Sequence, residues 1–219
     1  MSQSMIVAID GPAASGKGTL AKSLAASLGF DHLDTGLLYR AVAKKIVDSE
    51  FEPDNVEAAE SMAQSLSAVD LRADGLRGEK MGRAASICSG IPAVRKALLD
   101  YQLDFASNPP GGKGAVLDGR DIGTAVCPRA HLKIWMTADA EVRATRRLAE
   151  DPAAGTFDSI LAAIKERDLR ETTREISPLV PASDAKIIDT GKLGAGEALA
   201  QAISWASEIG AVAAKRCKM

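Results

Sequence analysis

The first twenty residues contain a short apolar run that leads into a glycine-rich turn and then into a helical pattern. The run is Met5–Asp10, and the turn reads Gly-Pro-Ala-Ala-Ser-Gly-Lys-Gly-Thr over residues 11–19. Glycines leave backbone amides uncovered, and a helix that starts after such a turn aims free N–H groups and the positive end of its dipole at one point. Lys17 adds a mobile positive charge there. This order predicts a loop that binds the phosphates of ATP.

The loop departs at one position from the strict form of the pattern, which has Ser or Thr directly after the lysine. Gly18 stands there and Thr19 follows it. A glycine-rich turn with an unrelated lysine is the alternative interpretation, but the flanking strand and helix fit a phosphate loop at every step. We therefore predict that all nine residues contact ATP, with Lys17 near the β- and γ-phosphates: Gly11, Pro12, Ala13, Ala14, Ser15, Gly16, Lys17, Gly18 and Thr19.

Short apolar runs alternate with longer helical patterns along the chain, as in a parallel sheet covered by helices on both faces. Strands are predicted at 5–10, 31–34, 115–118, 132–136 and 185–189. Helices are predicted at 17–28, 37–47, 54–66, 92–106, 140–150, 159–173 and 196–213. The pattern predicts one α/β domain over residues 1–219, a three-layer α/β/α sandwich of the P-loop NTPase type with five parallel strands. Its core covers about 1–54, 84–150 and 158–219.

Two stretches interrupt this alternation. The first is a short insert at about 55–83, in which Asp74-Gly75 between short apolar pieces indicates a hairpin within 69–82. Asp54 and Glu57, three residues apart, predict the capped start of its first helix. The second, about 151–157, has Pro152 and Gly155 between two long helices, which suits a short lid, although a plain connection fits equally.

Composition excludes several classes of function. Hydrophobic residues make up 46% of the 219 residues and the formal net charge is −2, which argues against disorder and against a global field for nucleic acid or a membrane. The cysteines Cys88, Cys127 and Cys217 are odd in number and lack C-x-x-C spacing, so neither a disulfide framework nor a zinc site is predicted. No apolar run reaches the ~20 residues of a membrane helix, and the start lacks a signal-peptide layout. We expect a cytoplasmic monomer.

Arginines stand where predicted strands end. Arg40 follows the second strand and Arg120 the third, and ligands of open α/β sheets bind outside the carboxyl ends of the strands. Phosphoryl transfer needs positioning and cations more than covalent chemistry. A phosphate monoester, with a second pKa of about 6, is largely dianionic at neutral pH and needs no general base. We accordingly expect structural or exposed roles for the two histidines, His32 and His131.

Further candidates lie beside this edge and in the lid. Asp118 closes the third strand and would hold Mg²⁺ through water, or alternatively cap a helix. Thr19 is the second predicted magnesium ligand. Two predicted helices carry arginines three and four residues apart, hence on shared faces, which indicates a phosphate-gripping lid; a solvated face with local ion pairs is the alternative. These are Arg143, Arg146 and Arg147, then Arg167, Arg170 and Arg174.

Together these residues resemble the bacterial cytidylate kinases, which belong to the nucleoside monophosphate kinases, along nearly the whole chain. Adenylate kinases carry a different segment where DGRDIGT stands, and guanylate kinases have a Gly-Lys-Ser-Thr loop. The resemblance rests on IDGPAASGKGT at 9–19, LDTGLLYR at 33–40, AAS at 84–86, VRKALL at 94–99, LDGRDIGT at 117–124, IKERD at 164–168 and PLVPASDA at 178–185.

The resemblance implies transfer of the γ-phosphate of ATP, used with Mg²⁺, to CMP or dCMP, which gives ADP and CDP or dCDP. Catalytic roles are implied for Lys17, Arg120 and lid arginines among Arg143, Arg146 and Arg147. An arginine that donates to the O2/N3 edge of cytosine and a carboxylate that accepts from its amino group suit the base. The implied acceptor residues are Thr35, Arg40, Arg120 and Arg174 for the phosphate, Ser86, Arg95 and Asp121 for cytosine, Arg167 and Glu171 for the ribose, with Tyr39 beside them.

Three departures from the family's pattern bear on the acceptor. The family usually has serine where Thr35 stands, so a hydroxyl is kept, and aspartate where Glu171 stands, so the reach to the sugar hydroxyls changes. The insert is also shorter than the family's β-rich substrate domain, which predicts a reduced flap near Ser86.

Two other functions stay open on the sequence. One is a kinase that acts on another nucleoside monophosphate or small acceptor. The other is a P-loop nucleotide switch without acceptor chemistry. A switch predicts an Asn-Lys-x-Asp base motif and a regulatory loop, and it leaves the many arginines without a role.

Overall fold

Five parallel strands form a single sheet in the computed structural model, which describes residues 4–216 and the side chains up to residue 210. The strand order is β2-β3-β1-β4-β5. The strands are β1 Met5–Asp10, β2 Asp31–Asp34, β3 Gly114–Gly119, β4 Leu132–Thr137 and β5 Lys186–Asp189. β1 lies at the centre, where it pairs with β3 from Met5↔Gly114 onward and with β4 from Val7↔Leu132 onward. The predicted α/β class and all five predicted strands are confirmed.

Within residues 4–216, eight α-helices connect and cover the strands. Seven of them were predicted, with ends that differ by no more than three residues, and α4 was not. The helices are α1 Lys17–Leu28, α2 Thr35–Asp48, α3 Val56–Gln64, α4 Glu79–Cys88, α5 Pro92–Ser107, α6 Ala140–Glu150, α7 Phe157–Thr173 and α8 Ala195–Arg216. Short helical turns lie at Asp70–Arg72, Ile122–Val126 and Pro152–Ala154.

The central strand supplies side chains to two separate cores. Val7 and Ile9 pack with Leu24 of α1 and Ala202 of α8 on one face of the sheet. Ala8, between them in sequence, joins a second core on the opposite face. Because neighbouring side chains of a strand point to opposite faces, this division requires layers on both sides of the sheet. Because the strands are parallel, their carboxyl ends all lie at the same end of the sheet.

The hairpin predicted within 69–82 is wrong. Among the described residues of this stretch there is no strand; a short turn at Asp70–Arg72 is followed by α4 from Glu79. Gly75 does occupy a turn, with φ +78°. The apolar side chains after it are buried at positions 81, 84, 85 and 88, which is helical spacing, so they pack α4 against α2 instead of pairing strands.

The predicted capping by Asp54 is also wrong by one residue. The side chain of Asn55 caps α3, where it accepts from the backbone N–H of Ala58 at 2.9 Å. At the lid, Thr156 caps α7 by accepting from Ser159 N, so that helix begins at Phe157. Each cap satisfies a backbone donor that has no partner inside its helix.

The cysteines that the structure describes are inert. Cys88 and Cys127 are buried free thiols, and burial raises their pKa to about 12 and about 11. Cys217 lies outside the described residues. Within the described part of the chain, no helix combines the length and the apolar character needed to cross a membrane.

Candidate active site

Two adjoining cavities open at the carboxyl ends of the central strands. The first, of about 770 Å³, lies over the glycine-rich turn, and the second, of about 190 Å³, lies between α2, α4 and the end of β3. Several residues line both cavities, and five of them are cationic. A junction with this charge suits groups that carry several negative charges. The shared residues are Lys17, Gly18, Asp34, Arg40, Arg77, Arg120 and Arg167.

The predicted phosphate loop forms the floor of the first cavity. Gly16 caps α1 in the left-handed conformation, with φ +86°. At Gly11 a Cβ atom would lie 2.2 Å from the carbonyl oxygen of Met136, so only glycine allows the loop to pass β4. The predicted loop residues Gly11, Pro12 and Ser15 lie behind this floor. The six that line the cavity are Ala13, Ala14, Gly16, Lys17, Gly18 and Thr19.

Side-chain hydrogen bonds hold three carbonyl groups of this loop, two of them from residues that do not line the cavity. Arg143 Nη1 donates to the carbonyl of Ala13 at 3.3 Å, and the Thr190 hydroxyl donates to that of Ser15 at 3.0 Å. Lys17 Nζ donates to the carbonyl of Pro12 at 3.1 Å. Because a trans peptide points its N–H opposite to its C=O, and the described chain has no cis peptide, these bonds turn amides toward the cavity.

The ammonium group of Lys17 lies in an environment that disfavours its charge. Burial, together with the positive charge of Arg120, lowers the pKa of Lys17 to about 7. Asp118 opposes this shift only partly. An arriving phosphate would supply the missing negative charge, so this lysine is suited to bind an anion.

The lowered pKa of Lys17 predicts that kcat/KM for ATP falls at alkaline pH. As the pH rises through about 7 Lys17 loses its proton, and the neutral amine attracts phosphate less. The value of kcat/KM for ATP, which reports the free enzyme, should fall about tenfold per pH unit above this pKa, while kcat stays level. Steady-state kinetics at saturating acceptor measure both. In Lys17→Arg, whose charge does not titrate in this range, the residual kcat/KM for ATP should show no alkaline fall. If the fall persisted in this variant, a group other than Lys17 would be responsible for it.

All ten predicted acceptor residues line the second cavity. Glu171, one of these residues, is almost fully buried and accepts from Arg120 Nε and Arg167 Nε at 2.7 Å each. The hydroxyl of Ser86 donates to the same carboxylate at 3.0 Å. Burial alone would raise the pKa of Glu171, but the two guanidinium groups hold it well below its usual range. Glu171 therefore orients two arginines, a task that the sequence did not indicate.

The far wall of the second cavity combines an ion pair with an aromatic ring. The guanidinium of Arg95 pairs with the carboxylate of Asp121, and it lies 5.8 Å from the ring centre of Tyr39. Arg174 Nη1 donates to the hydroxyl of Ser89 at 3.1 Å, and both residues line this cavity. Donors and acceptors beside a flat apolar ring suit a planar heterocycle.

Arg40 is held by the insert. Its Nη1 donates to the carbonyl groups of Leu76 and Gly78 at 3.1 Å each. Burial and the neighbouring Arg167 lower the pKa of Arg40 to about 10, so it stays charged at neutral pH. Thr35, which opens α2, donates to the carbonyl of Asp118 at 2.8 Å. The insert and the strand ends thus fix the side chains of this wall.

The lid arginines divide into two groups. Arg146 and Arg147 line the first cavity, and Arg146 Nη2 donates to the carbonyl of Thr190 at 2.6 Å. Arg143 does not line it, contrary to the expectation of a direct grip on phosphate. Its guanidinium is buried and forms two bonds to Asp168 of α7, at 2.6 and 3.1 Å. Arg143 therefore joins α6, α7 and the phosphate loop.

Asp118 and Thr19, the predicted magnesium ligands, lie on the walls of the adjoining cavities. Asp118 Oδ1 pairs with His32 Nε2 at 2.8 Å, which fixes the carboxylate. Within the described residues there is no cluster of three or more carboxylate, imidazole or thiol groups. This donor set fits Mg²⁺, which usually takes one or two protein ligands and completes its shell with phosphates and water.

Two residues near the site were not predicted from the sequence. Asp10, at the end of β1, accepts from the backbone N–H groups of Ile122 at 2.8 Å and Gly123 at 2.7 Å, and so holds the segment after Arg120. Burial raises the pKa of Asp10 to about 6. A charged residue that ends a fully apolar strand was the available signal. Arg77 of the insert lines both cavities, and no local pattern marked it.

A glycine-rich phosphate loop on a five-stranded parallel sheet, facing a second arginine-lined cavity, defines a P-loop kinase. The family model for cytidylate kinase matches residues 7–208. The chain is 55% identical over 203 residues to the cytidylate kinase of Paramagnetospirillum magneticum, with 91% of this chain and 96% of that protein covered. It is 49% identical over 203 residues to that of Rhodospirillum rubrum, with 91% and 95% covered. The chain belongs to the cytidylate kinase family and is a nucleoside monophosphate kinase.

A solved structure supports the fold independently. An uncharacterized protein from Eubacterium ventriosum ATCC 27560 superposes with a TM-score of 0.57 at 16% sequence identity. The superposition covers 94% of this chain and 99% of that one. At this identity the likeness concerns the fold alone.

Proposed function

We propose that this kinase transfers the γ-phosphate of ATP to CMP or dCMP and forms ADP and CDP or dCDP. The observation that carries the proposal is the junction of the two cavities, where Lys17, Arg40, Arg120 and Arg167 line both. A triphosphate in the first cavity and a monophosphate in the second would meet end to end at these cations.

The chain's residues act mainly by position and charge. The amides of the phosphate loop and Lys17 bind the β- and γ-phosphates, and Arg146 and Arg147 close the opposite side. Arg40, Arg120 and Arg174 hold the acceptor phosphate so that one of its oxygens faces the γ-phosphorus. The transferred group loses its bond to the β-phosphate as the acceptor oxygen attacks, and the cations stabilise the charge that spreads over its oxygens.

The acceptor phosphate serves as its own nucleophile. With a second pKa of about 6, it is largely dianionic at neutral pH. Both histidines are engaged in other contacts: His32 pairs with Asp118, and Nδ1 of His131 accepts from the backbone N–H of Ile6 at 3.0 Å. The proposal accordingly gives the transfer step no side-chain base.

Thr19 and Asp118 would hold Mg²⁺, Thr19 through its hydroxyl and Asp118 through water. When bound, the ion would neutralise part of the negative charge of the nucleotide phosphates. His32 keeps Asp118 oriented for this role through their 2.8 Å contact.

Cytosine recognition is proposed for the far wall of the second cavity. Arg95 donates to the O2/N3 edge, and Asp121 accepts from the 4-amino group. AMP presents its N–H donor and acceptor in a different arrangement on a larger ring, and the second cavity measures only about 190 Å³. Discrimination by such paired polar groups is strong because a mismatched base leaves them unsatisfied.

A coupled ADP-release assay with a panel of acceptors tests the proposal. CMP, dCMP, UMP, AMP and GMP are compared at one ATP and Mg²⁺ concentration, with an acceptor-free control for ATP hydrolysis. We expect turnover with CMP and dCMP and little with AMP or GMP. Turnover only with another acceptor would replace the proposed substrate, and nucleotide binding without any transfer would favour a switch.

A further inference from the structure

Arg77 stands apart from the other cations at the junction of the two cavities. Its side chain is 77% exposed, whereas those of Arg120 and Arg167 are 17% and 14% exposed. Glu171 holds both of these arginines, and backbone carbonyl groups hold Lys17 and Arg40. Among the residues whose side chains are described, Arg77 makes one ion pair, from Nη2 to Asp34 Oδ2 at 3.2 Å. It is thus the junction cation with the fewest constraints on its position.

The backbone on either side of Arg77 is nevertheless fixed. Leu76 is buried, and Arg40 donates to the carbonyl groups of Leu76 and Gly78. The segment therefore holds the backbone of Arg77 in place beside both cavities, while the exposed guanidinium group remains free to move. Asp34 is fixed as well, because its Oδ1 accepts from Leu37 N at the start of α2.

The contact between Arg77 and Asp34 is easily exchanged. Exposed ion pairs contribute only about 0–1 kcal/mol. A phosphate group at the junction carries up to two negative charges and several acceptor oxygens, against one charge on Asp34, and guanidinium binds such groups through two bonds. A phosphate within reach would therefore draw the guanidinium away from the carboxylate.

We propose that Arg77 is a further phosphate-binding residue of this kinase, which leaves Asp34 and contacts the phosphates that meet at the junction. The inference rests on the proposed function, since it requires phosphates in both cavities. It also gives the shortened insert a direct part in the reaction: the same three residues, 76–78, orient Arg40 through their carbonyl groups and supply a mobile cation.

The variants Arg77→Ala and Arg77→Lys test this assignment against Arg72→Ala. Arg72 is an exposed arginine of the same insert and lies outside both linings. For Arg77→Ala we expect kcat to fall by about 10- to 100-fold, as for loss of one cation at the transferred group. Affinity for a bisubstrate analogue, adenosine and cytidine joined by five phosphates, should fall at least about tenfold by calorimetry. Arg77→Lys should recover part of both, and Arg72→Ala should match the wild type.

Arg77→Ala with the kcat and the analogue affinity of Arg72→Ala would overturn the assignment. A melting temperature close to that of the wild type is expected for all three variants, so a loss of activity would not reflect unfolding. If the wild-type chain transfers no phosphate to CMP, the proposed function fails. Titration with inorganic tripolyphosphate still tests Arg77 in that case, because an unchanged affinity in Arg77→Ala would reject its phosphate contact.

Discussion

Lys17→Ala should lower kcat by at least about 10²–10³-fold, the usual cost of losing one charged group at the transferred phosphate. The melting temperature should not fall, because burial and Arg120 already disfavour the ammonium charge and lower its pKa to about 7. Coupled ADP release at saturating ATP and CMP measures the rate, and thermal unfolding measures stability. Lost activity in a fully stable protein is the expected combination.

Lys44→Ala provides the matched control for this variant. Lys44 lies on the surface of α2 and pairs with Asp48 at 2.8 Å, away from both cavities. It should retain wild-type kinetics. A Lys17→Ala enzyme that keeps near-normal turnover would remove Lys17 from the transfer step and, with it, the reading of residues 11–19 as the donor site.

Asp121→Ala should lower kcat/KM for CMP by about 10²-fold or more, because Arg95 loses its partner and the cytosine amino group loses its acceptor. The KM for ATP should change by less than about threefold, since the donor lies in the other cavity. Steady-state kinetics in which each substrate is varied in turn separate the two effects. Because a buried ion pair is broken, the melting temperature is measured for every variant.

Two further variants sharpen the assignment of Asp121. Asp121→Asn keeps a carbonyl acceptor but adds N–H donors, which suit the O4 atom of uracil, so the ratio of UMP to CMP turnover should rise. Asp184→Ala is the control, since that exposed carboxylate pairs with Lys133 and lines neither cavity. An Asp121→Ala enzyme whose ATP and CMP kinetics weaken equally would contradict a role in reading the base.

Local sequence patterns predicted the structure correctly where it depends on residues close together in the chain. The bounds of β1 and α1 follow from five apolar residues followed by Asp10, a glycine turn and a helical repeat, all within 24 residues. Arg40 and Arg120 were placed at the strand ends for a related reason, because parallel strands bring their carboxyl ends to one edge. The family resemblance added the acceptor set, and all ten of its residues line one cavity.

The ion-pair partners of the buried arginines could not be predicted from local patterns. Glu171 is paired with Arg120, 51 residues away, and Arg143 with Asp168, 25 residues away. Such pairs depend on how whole helices pack, and the sequence offered each arginine several carboxylates. The hairpin predicted in the insert was wrong for a different reason. An Asp-Gly turn suits a hairpin, but the buried positions that follow it have helical spacing. Arg77 lies in that stretch, which explains why its place at the junction was not predicted.

The bonds from Arg143 to Ala13 and from Thr190 to Ser15 have a thermodynamic consequence. Each fixes one peptide plane of the loop, and with it the direction in which the amides of Ala14 and Gly16 point. The conformational entropy of these planes is lost when the chain folds, so little of it remains to be lost when a nucleotide arrives. The distant anchors on α6 and after β5 therefore favour tight association without touching the ligand.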